Sequence, residues 1–282
     1  MNAVTVSSKV RVSRHRSNLR ATLTALRAIV SRDLLVMRRE VIVLVVQTLM
    51  QPLFMLFVIG KVFSTIGASS SGFSTLLVPG IVALTVFVTA LQGPSVDLAR
   101  DLAFTREIED RLLAPLPTLL VAVEKMGLAV MRALISGALV FPLAALVLGT
   151  AYQVRGDRLG LAIALILLVA LVGAALGLLI AVVAPLQLLP IIFALVFTPL
   201  IFTGCTLYSW AALSSIRWFQ VVTLFNPLTY AAEGLRYALI PPLEHGQAPP
   251  TLALGWVLLV LGGTFIACFI AALTLFYRRV IS

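Results

Sequence analysis

Between Leu159 and Ile216 the chain carries no Asp, Glu, Lys or Arg. One helix over that stretch would measure about 87 Å at about 1.5 Å per residue, against a hydrocarbon core of about 30 Å. The stretch must therefore cross a bilayer twice, and the segment from Pro185 to Pro190 is the natural turn between the crossings. The rest of the chain agrees. Of its 282 residues, 61% are hydrophobic and 11% are charged, where soluble domains carry about 25% charged residues. Mean hydropathy is +1.09. The fold class is an all-α integral membrane protein.

Apolar runs elsewhere bring the number of expected transmembrane helices to six, at about 41–62, 76–96, 121–150, 159–184, 188–206 and 252–276. Together they make one transmembrane domain over 41–279. Pro52 should kink the first span, and the Ser/Gly-rich stretch from Ser64 to Ser74 separates it from the second. Residues 1–17 read as a basic, disordered tail. Residues 18–40 read as an amphipathic interfacial helix: Leu19, Leu23, Leu26, Leu34 and Met37 recur at helical steps, with Arg27, Arg32, Arg38 and Arg39 between them. This helix fits a lever against a partner protein as well as it fits an anchor on the lipid surface. The first apolar run begins only near Val41, so no cleaved signal peptide is expected.

The net charge is +10. In a soluble protein that would raise nucleic acid as a partner; here the basic residues sit at the ends of apolar runs, which excludes it. Most of the 21 Lys and Arg fall on the side that holds both termini, so that side is expected to be cytoplasmic. Asp97–Pro117 is then cytoplasmic and Leu207–Pro250 extracytoplasmic. Arg far outnumbers Lys, and Ala and Val abound, as in chains from GC-rich bacterial genomes.

Catalytic patterns are missing from the sequence. It has no GxxxxGK[ST], HExxH or GxSxG, so it neither cradles a nucleotide in a P-loop nor presents a familiar hydrolase site. Cys205 and Cys268 form no CxxC and read as buried small hydrophobes. No cofactor, metal site or catalytic residue is expected. Acidic and histidine residues, which ion-coupled carriers place in their spans, are scarce. Arg132 is the one clearly intramembrane charge, and it is read as snorkelling to the interface, with substrate contact as the alternative.

Two polar segments interrupt the apolar pattern. The first runs through Arg106, Glu107, Glu109, Asp110 and Arg111 into Leu112-Leu113 and the stop Pro115-Leu116-Pro117. A charged flank with an apolar tip suits docking into a groove on a partner. The second, between the fifth and sixth spans, predicts a short extracytoplasmic helical hairpin. One helix covers Trp210 to Leu224; the other follows Asn226, a capping residue, and Pro227, suited to a first helical turn. On the second helix Tyr230, Glu233 and Arg236 share a face, and Glu233 is close enough to Arg236 to pair. Such a hairpin can be buried in protein or can lie on the surface, held by its Trp and Tyr residues.

These segments resemble the permease subunits of ABC-2 type ATP-binding-cassette exporters, in particular the branch of antibiotic-resistance and nodulation-factor exporters. The resemblance rests on five stretches in order: Gln51-Pro52-Leu53 to Gly60-Lys61-Val62-Phe63; Phe73 to Val78-Pro79-Gly80-Ile81; Arg106-Glu107 to Arg111-Leu112-Leu113-Ala114-Pro115-Leu116; Phe202 to Ser209; and Asn226-Pro227-Leu228-Thr229-Tyr230 with Glu233 and Arg236. It covers about residues 20 to 280. The third stretch departs from the family in lacking a glycine near Ile108.

The resemblance implies that two permease subunits pack together, as a homodimer or with a sister permease, in a bacterial plasma membrane. Two copies of a separate ATPase subunit would hold ATP and Mg and dock on the cytoplasmic face. Arg106, Glu107, Glu109, Asp110, Arg111, Leu112 and Leu113 would couple to that ATPase, with Arg32, Arg38 and Arg39 on the lever. The hairpin with Asn226, Pro227, Tyr230, Glu233 and Arg236 would gate the extracytoplasmic end. The scarcity of buried charge fits an apolar or lipid-like cargo, moved as efflux, better than an ion. A secondary transporter, or a polysaccharide or glycolipid exporter, is the alternative.

Overall fold

In a computed structural model of the chain, the described residues are 45–66, 73–103, 118–149, 155–241 and 251–281, together with 31, 35, 42 and 43. Every regular element among them is helical. Six helices are long and apolar enough to cross a membrane. They are α1 (Val45–Thr65), α2 (Phe73–Ala103), α3 (Thr118–Leu148), α4 (Leu159–Val183), α5 (Leu189–Thr203, entered through a 3-10 turn at Leu186–Leu188) and α8 (Leu254–Ile281). Two short helices, α6 (Arg217–Thr223) and α7 (Pro227–Leu239), lie between α5 and α8. With six crossings, the start of α1 and the end of α8 fall on one side, here termed the terminal end; α6 and α7 lie at the opposite end.

The central helix is α2. Within its most apolar stretch 78% of residues are buried, against 17% in α1 and α8 and 6% in α5. It packs on α4, α3 and α7. The α2–α4 contact is backbone-close: a Cβ at Gly177 would lie 2.2 Å from the Leu91 carbonyl oxygen, so only glycine fits there. Ser95 straps the two helices, its one hydroxyl proton shared between Leu91 O at 2.6 Å and Gly177 O at 3.0 Å. By contrast α5 leaves Ile191, Leu195 and Phe202 exposed on the bundle surface, as a helix meeting lipid does.

The expected turn between the fourth and fifth spans is present: Ala184 ends α4 in extended backbone and Pro185 opens the 3-10 turn. Two features depart from the sequence reading. First, α2 runs unbroken through Pro79 and Pro94 to Ala103, so the helix of the second span continues past its expected end at about 96 and carries Asp97. Second, Trp210–Leu224 is not one helix. A 3-10 turn, Trp210–Ser215, is separated from α6 by Ile216 at φ −121° and ψ 68°. The reason is a reciprocal bridge: the Trp210 indole donates to Gln220 O, and the Gln220 amide donates to Trp210 O, both at 3.2 Å. Those bonds bring residues ten apart face to face, which a straight helix cannot do. The tail over 1–17 and nearly all of the 18–40 helix lie outside the described residues.

Candidate functional site

Polar groups collect at two levels along α2. At the opposite end stands the segment from Asn226 to Arg236. The Asn226 side-chain oxygen accepts from Leu228 N at 2.9 Å and so caps α7, with Pro227 in the first turn. The same amide donates to Leu200 O at 2.8 Å and Thr203 Oγ1 at 2.9 Å, tying the cap to the end of α5. At about 20 Å, α7 is too short to cross a bilayer. It is buried along nearly its whole length, Tyr230 included, whereas Trp218, Val221 and Val222 of α6 are exposed. The expected hairpin is thus one buried helix and one surface helix.

Glu233 and Arg236, both 0% exposed, pair at 2.8 Å as their three-residue spacing predicted. The pair binds three other segments. Arg236 Nε donates to Leu76 O of α2 at 3.1 Å, and Nη2 donates to Thr206 O at 3.0 Å. Glu233 Oε1 also accepts from Trp210 N at 2.9 Å. Burying either charge alone would cost several kcal/mol; the pairing and these added bonds offset much of that, although Glu233 Oε2 is buried without a hydrogen-bond partner among the described residues. Gly80 makes room for the assembly: a Cβ there would lie 1.9 Å from the Thr206 carbonyl oxygen. Thr229 completes the layer, its one hydroxyl proton lying within reach of Thr223 O at 2.7 Å and Thr203 O at 3.1 Å. Beside it Tyr208 donates to Phe202 O, and burial pushes its phenol up to about 12, so it stays neutral. Beyond α7, Arg155 N donates to Leu239 O at 2.9 Å and the Arg158 guanidinium sits 4.6 Å over the Tyr237 ring.

The second level is a cavity of about 620 Å³ between α1 and α2, running along α2 from Ile81 to Asp97. From α1 it is lined by one stripe that includes Gln47, Thr48, Gln51 and Met55; from α2 by another that includes Ile81, Leu84, Thr85, Thr89, Gln92 and Asp97; and from α3 by Arg132. Both stripes follow the three- and four-residue steps of a helix face. Arg132 has a partner that the sequence reading did not name: its Nη1 donates to Asp97 Oδ2 at 3.2 Å, across the α2–α3 contact and on the cavity wall. The reason is the unbroken course of α2 past Pro94, which carries Asp97 to the level of Arg132.

Of the residues singled out from the sequence, Asn226, Pro227, Tyr230, Glu233 and Arg236 are brought together. The segment Arg106, Glu107, Glu109, Asp110, Arg111, Leu112 and Leu113 lies outside the described residues, as do Arg32, Arg38 and Arg39. Cys205 and Cys268 are free thiols, Cys205 fully buried beside the ion pair. Among the described residues no His, Cys, Asp and Glu group could hold a metal ion. Sequence reasoning missed Leu76 and Thr206 as partners of Arg236 and Gly80 as the space beside them, and it missed the cavity stripe. The stripe had a signal: Gln47 and Gln51 are four apart, as are Thr85 and Thr89, within otherwise apolar runs.

Residues 24–240 match the family model described as ABC-2 type transporter. The match ends on Ile240, the residue that closes α7. No curated protein matches the chain.

Proposed function

The chain belongs to the ABC-2 type transporter family, as the non-catalytic membrane permease component that works with an ABC ATPase, and from that premise we propose that it exports a hydrophobic, drug-like or lipid-like cargo across a bacterial plasma membrane. ATP is hydrolysed on two copies of a separate ATPase subunit. A second permease, a further copy or a sister chain, completes the pathway, and both termini are cytoplasmic.

One observation carries the reading. A single helix, α2, lines a cavity from Ile81 to Asp97 and carries a hydrogen-bonded seal at the end opposite Asp97. Gly80 and Asp97 are separated by about 25 Å of helix at about 1.5 Å per residue. An inward-facing permease needs that arrangement: a chamber reachable from the ATPase side and a closed exit. In this proposal Glu233, Arg236, Asn226, Pro227 and Tyr230 form the exit gate. Arg106 to Leu113, with Arg32, Arg38 and Arg39, receive the motion of the ATPase.

The test is co-purification with an ABC ATPase and reconstitution in vesicles. ATP-driven cargo movement is expected in the complex. The double change Glu107→Ala, Arg111→Ala is expected to leave the permease inserted while transport falls and control of ATP hydrolysis is disturbed. Full transport by that variant would remove the coupling role from this segment. Transport by the permease without any ATPase would favour a secondary carrier.

A further inference from the structure

We propose that α1 contains a rotary joint: the stretch Leu56–Val62 converts between π-helix and α-helix, and the conversion turns the first part of α1 relative to the seal. The inference goes beyond the export reading, since it concerns the turning of a helix and holds for any cargo.

The joint is visible in the backbone. Leu56–Val62 is a π-helix of seven residues inside α1. Such bonding otherwise occurs mostly as single-turn bulges, often at functional sites. The Phe63 N–H donates five residues back, to Val58 O. The Ile66 N–H donates four residues back, to Val62 O at 3.0 Å. Between those two bonds lie three carbonyls, of Ile59, Gly60 and Lys61, and two amides, of Ser64 and Thr65. The helix backbone therefore passes over one carbonyl. Side-chain hydroxyls stand at this return. The one proton of Ser64 Oγ lies within reach of Gly60 O at 2.8 Å and Lys61 O at 2.7 Å, and Thr65 Oγ1 donates to Lys61 O at 2.8 Å. Gly60 is buried, and a buried carbonyl needs a partner. These hydroxyls are thus what allows the π run to persist.

The run is anchored, whereas the helix before it is loosely held. Leu56 is fully buried, and a Cβ at Gly60 would lie 2.8 Å from Leu148 Cδ2 of α3 and 3.5 Å from Leu77 Cδ2 of α2. From Val45 to Met55, by contrast, Pro52 alone is buried, and Val46, Met50 and Phe54 are exposed. Little packing resists a rotation of that part. The passed-over carbonyl marks one residue more than an α-helix would place over the same rise. On conversion the chain before the run therefore moves about 1.5 Å along the axis and turns by about 100°. Each station on the wall facing α2 passes to the next residue. Leu53, which does not line the cavity, takes the station of Pro52, which does. Gln51 turns toward the station of Met50 on the bundle surface. The seal at Gly80 stays still, because the turn is taken up at Leu56–Val62.

The test uses the full chain in lipid nanodiscs without an ATPase, in a Cys268→Ala background that leaves only the buried Cys205. Two cysteine pairs are compared: Gln51→Cys with Thr89→Cys, and Leu53→Cys with Thr89→Cys. A short, rigid bismaleimide is added. A protease site placed in the Ser/Gly-rich stretch after α1 reports the link, since linked fragments stay together on a denaturing gel. Co-expression with excess unsubstituted chain ensures that only links within one chain are counted. The Gln51 pair is expected to link first, as both residues line the cavity in the π state. The Leu53 pair should link more slowly, as the reagent traps the α state when it appears. Deletion of Val58 removes the surplus residue and fixes the observed facing in an unbroken α-helix. It should preserve the Gln51 link and slow the Leu53 link at least about tenfold, by removing the minor state. The double change Ser64→Ala, Thr65→Val strips the hydroxyls from the return and should speed the Leu53 link several-fold.

A Leu53 link that is absent from all these chains, or that ignores both changes, overturns the proposal. So does a Val58 deletion that slows both links alike in a chain that elutes as a monodisperse species. Where the deletion prevents folding, the Ser64, Thr65 comparison decides alone, and an unchanged Leu53 link there overturns the proposal. No ATPase takes part. Failure of the joint therefore leaves ATP-driven export standing, and failure to assemble with an ATPase leaves the linking result standing.

Discussion

The two polar levels of α2 differ in burial and engagement: the seal is buried and largely hydrogen-bonded, Glu233 Oε2 being its one buried oxygen without a partner among the described residues, whereas the cavity's glutamines are exposed and unbonded. At the seal, Arg236 spends three nitrogens on Leu76 O, Glu233 and Thr206 O, and Asn226 spends both ends of its amide. In the cavity, Gln47, Gln51 and Gln92 spend none among the described residues. The seal is buried inside the bundle, whereas Gln47, Gln51 and Gln92 are exposed along the groove between α1 and α2. Satisfied polar groups hold segments together and specify one arrangement; unsatisfied ones in an open space have capacity left for something else. The comparison therefore separates groups whose loss should damage the fold from groups whose loss should leave it intact.

The largest effect is expected at Glu233. Glu233→Ala leaves Arg236 charged and buried without its carboxylate, a change that costs about 3–5 kcal/mol for buried pairs. Insertion should persist, thermal stability in detergent should drop sharply, and transport should be impaired. Wild-type stability and transport in this variant would reduce the segment to a passive loop. The double change Glu233→Leu, Arg236→Met sharpens the point: it should recover most of the stability but not the transport, because matched apolar groups replace the pair without its bonds to Leu76, Thr206 and Trp210.

Gly80→Ala should come next. Its methyl would need the space held by the Thr206 carbonyl, and overpacking of this kind costs about 1–3 kcal/mol. The readout is local. Cys205, buried beside the pair, should resist a membrane-impermeant maleimide in a Cys268→Ala background and become reactive once Gly80→Ala loosens the seal. Protection unchanged by the methyl would mean that the contact is not part of a closure.

Asn226→Ala removes the α7 cap and two bonds to α5. Cap loss alone costs about 0.5–2 kcal/mol, so a melting shift smaller than that of Glu233→Ala is expected. The smallest effect belongs to the cavity. Gln51→Leu should leave the melting temperature within about 1 °C of wild type, or raise it, since surface-type substitutions stay within about 0.5 kcal/mol and leucine suits lipid better. A large destabilisation there would erase the distinction between the two levels.

How much of this was legible beforehand follows from the range of each interaction. The Glu233–Arg236 pair, the Asn226 cap and the Pro227 start were readable because each is a contact within one helical turn. The partners of Arg236 were not, because Leu76 lies 160 positions away and Thr206 30 away. The partner of Arg132 was out of reach for the same reason: Asp97 is 35 positions off and just past the expected end of the second span at about 96. Trp210–Leu224 was read as one helix because periodicity cannot show that Trp210 and Gln220 bridge across a bend.

The sequence by itself determined that the chain is an all-helical membrane protein with six crossings, because apolar length against bilayer thickness is arithmetic on one dimension. It also determined the family, through short motifs in order. Only the tertiary structure decided which helix is central, that α7 is buried rather than lying on a surface, and that one stripe of glutamines and threonines faces a cavity while one glutamate and arginine close on each other. Between helices in lipid, where burial from water no longer ranks one apolar face above another, small residues such as Gly80 and Gly177 and the search of each polar group for a partner set the packing. Those partners lie far along the chain, so the choice becomes visible only once the helices are side by side.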